Sequence, residues 1–242
     1  MINLILTMAG KYTRFQKLGY RIPKYLYPLA DSTVLKKILN IYINSYPKLN
    51  IYLIVNNADK QFYPVIKSNI QNIKKPCLNF EFIDDTAGQL ETARYSQTLF
   101  NEDINSNPIV FGNIDTILLN RSCFFKKLDI NNNDLNLIDT FNATSREYSY
   151  CKINEDNFVV SVEDKKVISN ISCSGLYGFN DPIMFFNYAE DLLSQKRSAS
   201  FSDFLNFIIK KNKNVLTSHN LDPRDTIVLG TPEEYLANLH KF

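Results

Sequence analysis

A parallel α/β sheet is the fold class this sequence predicts, and two observations carry it. Apolar runs of strand length recur at Ile2 to Met8, Asn50 to Asn56 and Pro108 to Gly112, continuous rather than alternating. That is how strands buried on both faces read. Stretches of helical apolar period separate these runs, so strand and helix alternate through residue 115, as right-handed crossovers between parallel strands require.

Taken in order, the first strand ends in the small-residue turn Ala9-Gly10. There is no helical period before Pro23, so the turn is expected to open a loop. Thr33 to Ser45 places Val34, Leu35, Ile38, Leu39, Tyr42 and Ile43 on one helical stripe, with Asp31 and Ser32 as caps. After the strand Asn50 to Asn56, a second helix spans Asp59 to Asn72 with Phe62, Val65, Ile66 and Ile70 or Ile73 inward. Cys77 to Ile83 alternates as a third strand, and Gln89 to Phe100 is a third helix. Beyond residue 115 short strand-like runs follow: Asp134 to Ala143, Tyr148 to Ile153, Phe158 to Val162, Val167 to Ile171 and Gly175 to Phe179. Turn clusters such as Asn154 to Asn157 separate them. Helices Pro182 to Ser194 and Phe201 to Lys211, a short strand Val215 to His219 and a helix Pro232 to His240 complete the reading. No repeat or disordered linker interrupts it. The 242 residues are expected to form one domain, 1–118 as a βα half and 119–242 as a mixed half.

Bulk chemistry narrows the partners. Apolar residues make up 45% of the chain, enough for a sizeable core, and 27 basic against 25 acidic residues leave a net charge of only +2. No nucleic-acid or membrane partner is expected, and any basic site must be local. Cys77, Cys123, Cys151 and Cys173 show no metal spacing, and with His219 and His240 as the only histidines a zinc site is not expected. A strand at the N-terminus and free cysteines suit a reducing cytoplasm.

The loop after the first strand carries Lys11, Arg14, Lys17, Arg21 and Lys24. A basic loop at the carboxyl end of a parallel strand suits a triphosphate, since open α/β sheets bind ligands outside those ends. Gly10 lets backbone approach an anion, Arg14 offers a planar fork and Lys24 a point charge. Further on, Asp84-Asp85-Thr86-Ala87-Gly88-Gln89 reads as a strand end, a turn and a helix start. Backbone amides point outward there, and Asp85 or Thr86 can cap the helix. Asp115 stands just past the buried run Pro108 to Gly112.

These stretches together resemble the sugar-phosphate nucleotidylyltransferases. That family opens on a strand, then A-G-x-G-[ST]-R-[FL], then P-K-x-L about ten residues later. Ala9, Gly10, Thr13, Arg14, Phe15, Pro23, Lys24 and Leu26 match, and Tyr12 stands where a second glycine is usual. The resemblance implies a GT-A/Rossmann-like three-layer mixed sheet with helices on both faces. It implies that Met8, Ala9, Gly10, Lys11 and Thr13 bind the nucleotide with Thr86, Gly88 and Gln89, while Arg14 and Lys24 act catalytically on the triphosphate. Asp115 would hold Mg²⁺ through one carboxylate and substrate phosphates. Aligned on Gly175, Asp164 takes the place of a usual Glu and Lys165 of a Lys that holds the acceptor phosphate, with Ser174 and Gly175 lining the acceptor pocket. Gly230-Thr231-Pro232 matches the family's G-T-P, with Thr231 as N-cap and Pro232 at the first helical position. Val228 stands where the family has its second metal-binding Asp, so either Asp115 holds the metal with phosphates and water alone, or Asp225 or Asp222 reaches in from elsewhere, or the chemistry is weakened.

The expected reaction joins an NTP to a phosphorylated sugar, polyol or related small acceptor and releases pyrophosphate. The branch it resembles serves bacterial capsule polysaccharide synthesis, and a homo-oligomer is left open. Two rivals share these features: a nucleotide-sugar glycosyltransferase, for which Ile117 stands where a second acid is usual, and a non-catalytic sugar-nucleotide binding relative.

Overall fold

The computed structural model describes residues 1–71, 73, 78–100, 107–130, 135–220 and 222–242. The first strand, β1 (Ile2–Met8), is sequestered on both sides, with Leu4, Leu6 and Met8 turned to one face and Ile5 to the other. A single helical turn, α1 (Thr13–Lys17), follows where a loop is expected from sequence. Its anchor is Phe15, 1% exposed and packed on the rings of Tyr20, Tyr27 and Tyr235. One buried residue holds one turn and leaves no period to read. A small hairpin, β2 (Pro28–Leu29) and β3 (Ser32–Thr33), leads into α2 (Val34–Ser45). Thr33 caps this helix, accepting from the Lys36 amide at 3.3 Å, rather than Asp31 or Ser32.

Strand β4 (Leu49–Asn56) runs into a 3₁₀ turn and α3 (Tyr63–Ile70). Ile66 is buried there, whereas Val65, expected inward, is 47% exposed. β5 (Leu78–Ile83) matches its expected span, and Cys77 lies outside the described residues. Helix α4 (Gln89–Tyr95) tightens into a 3₁₀ turn over Ser96–Leu99, where the Ser96 hydroxyl donates to the Ala93 carbonyl at 2.6 Å. β6 (Ile109–Gly112) closes the alternating series.

The second half departs further from expectation. A short strand β7 (Thr116–Leu118) and helix α5 (Ser122–Asp129) were not anticipated. Then come β8 (Asn136–Asn142), β9 (Ser149–Ile153), β10 (Val159–Asp164) and β11 (Ile171–Phe179). The runs expected at Val167 to Ile171 and Gly175 to Phe179 are one strand preceded by a bend. At that bend the Ser169 hydroxyl donates to the Cys151 carbonyl and accepts from the Ile171 amide. Helices α6 (Pro182–Gln195) and α7 (Phe201–Lys210), strand β12 (Val215–Asn220), a short β13 (Thr226–Val228) and α8 (Pro232–Asn238) complete the chain.

One mixed sheet runs in the order β10-β9-β11-β6-β1-β4-β5, with β8 pairing β11 and β12. β6, β1, β4 and β5 are mutually parallel, and β11 is antiparallel to β6. Two apolar clusters flank the sheet: one gathers α2, α5 and Tyr235 of α8, the other α4, α6 and α7. This is the expected three-layer α/β architecture. Among the described residues no helix is long and apolar enough to cross a membrane.

Strand β11 shapes the site. Its end, Leu176 to Phe179, pairs with β6, while its start bonds β9 through Ser172 and Tyr150. The strand changes partner around Gly175, at φ +90°, where the register against β8 also shifts. β6 and β9 thus splay apart on the same side of β11, and a cleft opens between them.

Candidate active site

The ends of the parallel strands enclose a cavity of about 500 Å³. Met8, Ala9, Gly10 and Lys11 line it from β1, and Thr86, Gly88 and Gln89 from the start of α4, with Lys24, Asn113 and Asp115 between them. Seven of the eight nucleotide-binding residues expected from sequence therefore meet in one place. Thr13, the eighth, begins α1 and does not line the cavity. Lys11 is held across the mouth by Asp85 at 2.6 Å. That contact, with the Asn56 amide, keeps the Asp85 carboxyl below its ordinary range. Neither Asp85 nor Thr86 caps α4. Gly88 occupies the cap position without a side-chain bond, Glu91 accepts from the Ala87 amide, and Thr86 pairs with Thr92 at 2.6 Å. A Cβ on Gly88 would stand 3.1 Å from the Ala199 carbonyl, so the turn packs tightly on the segment before α7.

Tyr12 does not lie bare across the cavity. Its hydroxyl donates to Asp59 Oδ1 at 2.9 Å, and the Tyr25 hydroxyl donates to Oδ2 at 2.9 Å. Asp59 is 2% exposed, and burial raises its pKa while the two phenols offset part of that rise. Sequence reasoning missed this triad because its members lie in three separate segments.

Asp115 stands where the cavity meets the cleft. Lys24 Nζ lies 2.5 Å from its Oδ2. Burial pushes its pKa up, but the adjacent ammonium and hydrogen bonds outweigh this and hold it below the usual carboxylate range. The Leu229 amide donates to the Asp115 carbonyl at 2.7 Å, and a Cβ on Gly230 would be 3.5 Å from Oδ2. The G-T-P segment is therefore pressed against Asp115, with Thr231 capping α8 and Glu234 closing the capping box. Val228 pairs with Thr116, next to Asp115, so the family's second-ligand position is in place but carries a side chain that cannot ligate. Asp225 does not reach Asp115. It accepts from Asn120 and Asn220 in a separate pocket that also contains Asp222. Among the described residues no three acidic, His or Cys side chains form a metal cage. One carboxylate beside the strand-end cavity would suit Mg²⁺ held mainly by substrate oxygens and water.

The cleft itself, about 240 Å³, contains Asp164, Ser174 and Gly175 as expected, together with Glu147, Tyr148 and Glu234. A Cβ on Gly175 would lie 2.4 Å from Asn113 Nδ2, and Asn113 also accepts from the Gln89 amide group. Arg14 lines this cleft rather than the larger cavity, and pairs with Glu147 at 2.8 Å. Lys165 lies outside it, at an exposed left-handed turn with φ +55°. Glu147 and Tyr148 sit between β8 and β9 with no local motif to announce them.

No protein-family model matches the chain. Against curated proteins it is 26% identical over 220 residues to the bifunctional protein GlmU of Methanococcus aeolicus. That match takes in 87% of the chain but only about half, 48%, of the relative's length. Among solved structures, the nucleoside-diphosphate-sugar pyrophosphorylase of Vibrio cholerae RC9 superposes with a TM-score of 0.83 at 23% identity, covering 98% of this chain and 99% of that one. The fold is that of the sugar-nucleotide pyrophosphorylases. A UDP-glucose pyrophosphorylase solved with UDP-glucose also shares it, with a TM-score of 0.76 at 15% identity over 99% and 97% of the two chains. The resemblance seen in the sequence motifs thus extends through the architecture, and two of these relatives are pyrophosphorylases by name.

Proposed function

We propose that the chain is a nucleotidylyltransferase that joins an NTP to a small phosphorylated acceptor and releases pyrophosphate. The observation that carries this reading is the meeting of two compartments at Asp115. The strand-end cavity is sized for a nucleotide, and the cleft beside it for a compact acceptor.

In the proposed reaction an acceptor phosphate oxygen attacks the α-phosphorus in line, the bond to the bridging oxygen breaks, and pyrophosphate leaves with that electron pair. The protein's work is orientation and charge compensation. Gly10 and the start of α4 border the nucleotide. Lys24 would turn from Asp115 to the phosphates, and Lys11 would leave Asp85 to meet the same charge. Bound Mg²⁺, held by Asp115 and phosphate oxygens, would offset negative charge developing on the phosphates. Arg14 faces the acceptor side and takes the place that Lys165 was expected to fill.

Pyrophosphate release tests the reading. CTP, UTP, dTTP, ATP and GTP are each crossed with sugar, polyol and amino-alcohol phosphates in Mg²⁺. Release that needs one NTP and one acceptor is the expected result. Nucleotide-sugar binding without release from any pair would favour the glycosyltransferase or binding alternatives. A role in surface polysaccharide synthesis stays part of the proposal and rests on resemblance alone.

A further inference from the structure

The acceptor cleft has a charge pattern that a neutral phosphorylated sugar does not match. Its lining holds four carboxylates, Asp115, Glu147, Asp164 and Glu234, against one guanidinium, Arg14. Asp115 is matched by Lys24, and Glu234 is occupied by the Tyr148 hydroxyl at 2.7 Å and the Thr231 amide at 3.0 Å. Asp164 has only the Ser149 hydroxyl, at 2.9 Å, and Glu147 only Arg14. One carboxylate is enough to accept hydrogen bonds from sugar hydroxyls. A surplus of carboxylates repels the acceptor's own phosphate unless the acceptor also carries positive charge.

Two further observations mark this as a ligand site rather than a solvated acidic patch. Phe141, Tyr148 and Tyr177 give the cleft aromatic walls, the surface on which an organic cation is held. Ser174, 4% exposed, also lines it. Its hydroxyl lies beside the buried Asp139 carboxylate and completes no hydrogen bond within the protein.

We propose that the acceptor is a phosphorylated amine, its ammonium group held by Asp164 and Glu147 against the aromatic wall and its phosphate by Arg14. The Arg14–Glu147 pair would separate on binding, each partner taking the opposite charge of the substrate. This rests on the nucleotidyl-transfer reading for its phosphate end, while the ammonium site can be tested by binding alone.

Matched acceptors decide it. Phosphoethanolamine and phosphocholine are compared with glycerol 3-phosphate, and glucosamine 1-phosphate with glucose 1-phosphate, by kcat/KM of pyrophosphate release and by calorimetric binding in Mg²⁺. The amine-bearing members are expected to exceed their neutral counterparts at least tenfold. Asp164→Asn and Glu147→Gln should shrink that ratio while leaving KM for the NTP unchanged. Preference for phosphocholine or phosphoethanolamine assigns an amino-alcohol acceptor, and preference for glucosamine 1-phosphate an amino sugar. Turnover that favours the neutral members would overturn the amine proposal and leave nucleotidyl transfer standing. Tight binding of an amine-bearing phosphate, lost in both variants, without any turnover would do the reverse. Neither binding nor turnover of the amines overturns the proposal outright.

Discussion

The cavity and the cleft share Asp115, Asn113 and Gln89, yet they are built by different means. The cavity lies at the ends of parallel strands, beside the Gly10 and Gly88 turns, with two lysines held by carboxylates at its edge. The cleft is made of side chains around a strand that bends at one glycine, and it is lined by carboxylates and rings. In the cavity Tyr12 stands where the resembled family has a glycine, and its hydroxyl is turned to Asp59. A side-chain compartment depends on buried charges and close approaches, and the largest effects of substitution are expected there.

Beneath the cleft lies the buried pair Arg121–Asp139, at 2.9 Å with exposures of 2% and 1%. Arg121 also donates to the Leu119 carbonyl and to Thr226 Oγ1, fastening the β7–β13 strand pair to β8. Arg121→Met leaves a carboxylate without its cation and should cost about 3–5 kcal/mol in denaturant unfolding. The cost depends on pH. Burial, opposed by Arg121, raises the Asp139 pKa to about 6. An acid whose folded pKa is raised stabilises the fold fully below its unfolded pKa, and that contribution is lost as pH rises toward the folded value. Removing Arg121 raises the folded value further, so the gap between wild type and variant should be wider at pH 8 than at pH 4.5. An equal gap at both would show that the pair's charge contributes nothing.

The next effect falls where the compartments meet. Asp115→Asn should lower kcat about 10²–10³-fold, the range for losing one preorganised electrostatic partner. It should also weaken Mg²⁺ dependence, and circular dichroism should show the fold retained. Unchanged Mg²⁺-dependent turnover would remove Asp115 from the metal and with it the proposed junction.

Much of this was legible in the sequence, and unevenly so. The parallel strands and the glycine turns after them are local features, and β1, β4, β5 and β6 fall where periodicity puts them, save for Cys77 outside the described residues. The cavity follows from that path, so Gly10, Lys24, Gly88 and Asp115 could be named from motif and position. The cleft follows from pairings distant in sequence. Nothing near Glu147 shows that it meets Arg14, and nothing near Lys165 shows that a left-handed turn carries it away. α5 was missed because Phe124, Phe125 and Leu128 fill barely two turns. β11 was split because Ser172 to Ser174 read as a gap between two runs, when the strand continues through them and bends at Gly175.

Gly175→Ala tests that bend. A side chain at φ +90° is strained, and the added Cβ would meet the Asn113 amide, which has no room to retreat while it holds Gln89. The cost should be about 1–3 kcal/mol of stability. KM for the acceptor should rise more than KM for the NTP, and an equal rise in both would mean that the cleft has no separate dependence on β11.

The smallest effect probes the cavity. Tyr12→Phe removes one of the two donors to Asp59 and leaves the ring in place. A buried carboxylate with one partner fewer costs about 1–2 kcal/mol, read as a fall in Tm. The Asp59 pKa, already raised by burial, should rise further because a bond favouring its charged form is gone. If the Tyr12–Asp59 bond steers the loop after β1, KM for the NTP rises in Tyr12→Phe and returns toward wild type in Tyr12→Phe combined with Asp59→Asn, where no charge is left unpaired. If Tm falls while KM for the NTP stays fixed, the triad only supports the fold, and the phosphate loop holds its path by backbone alone.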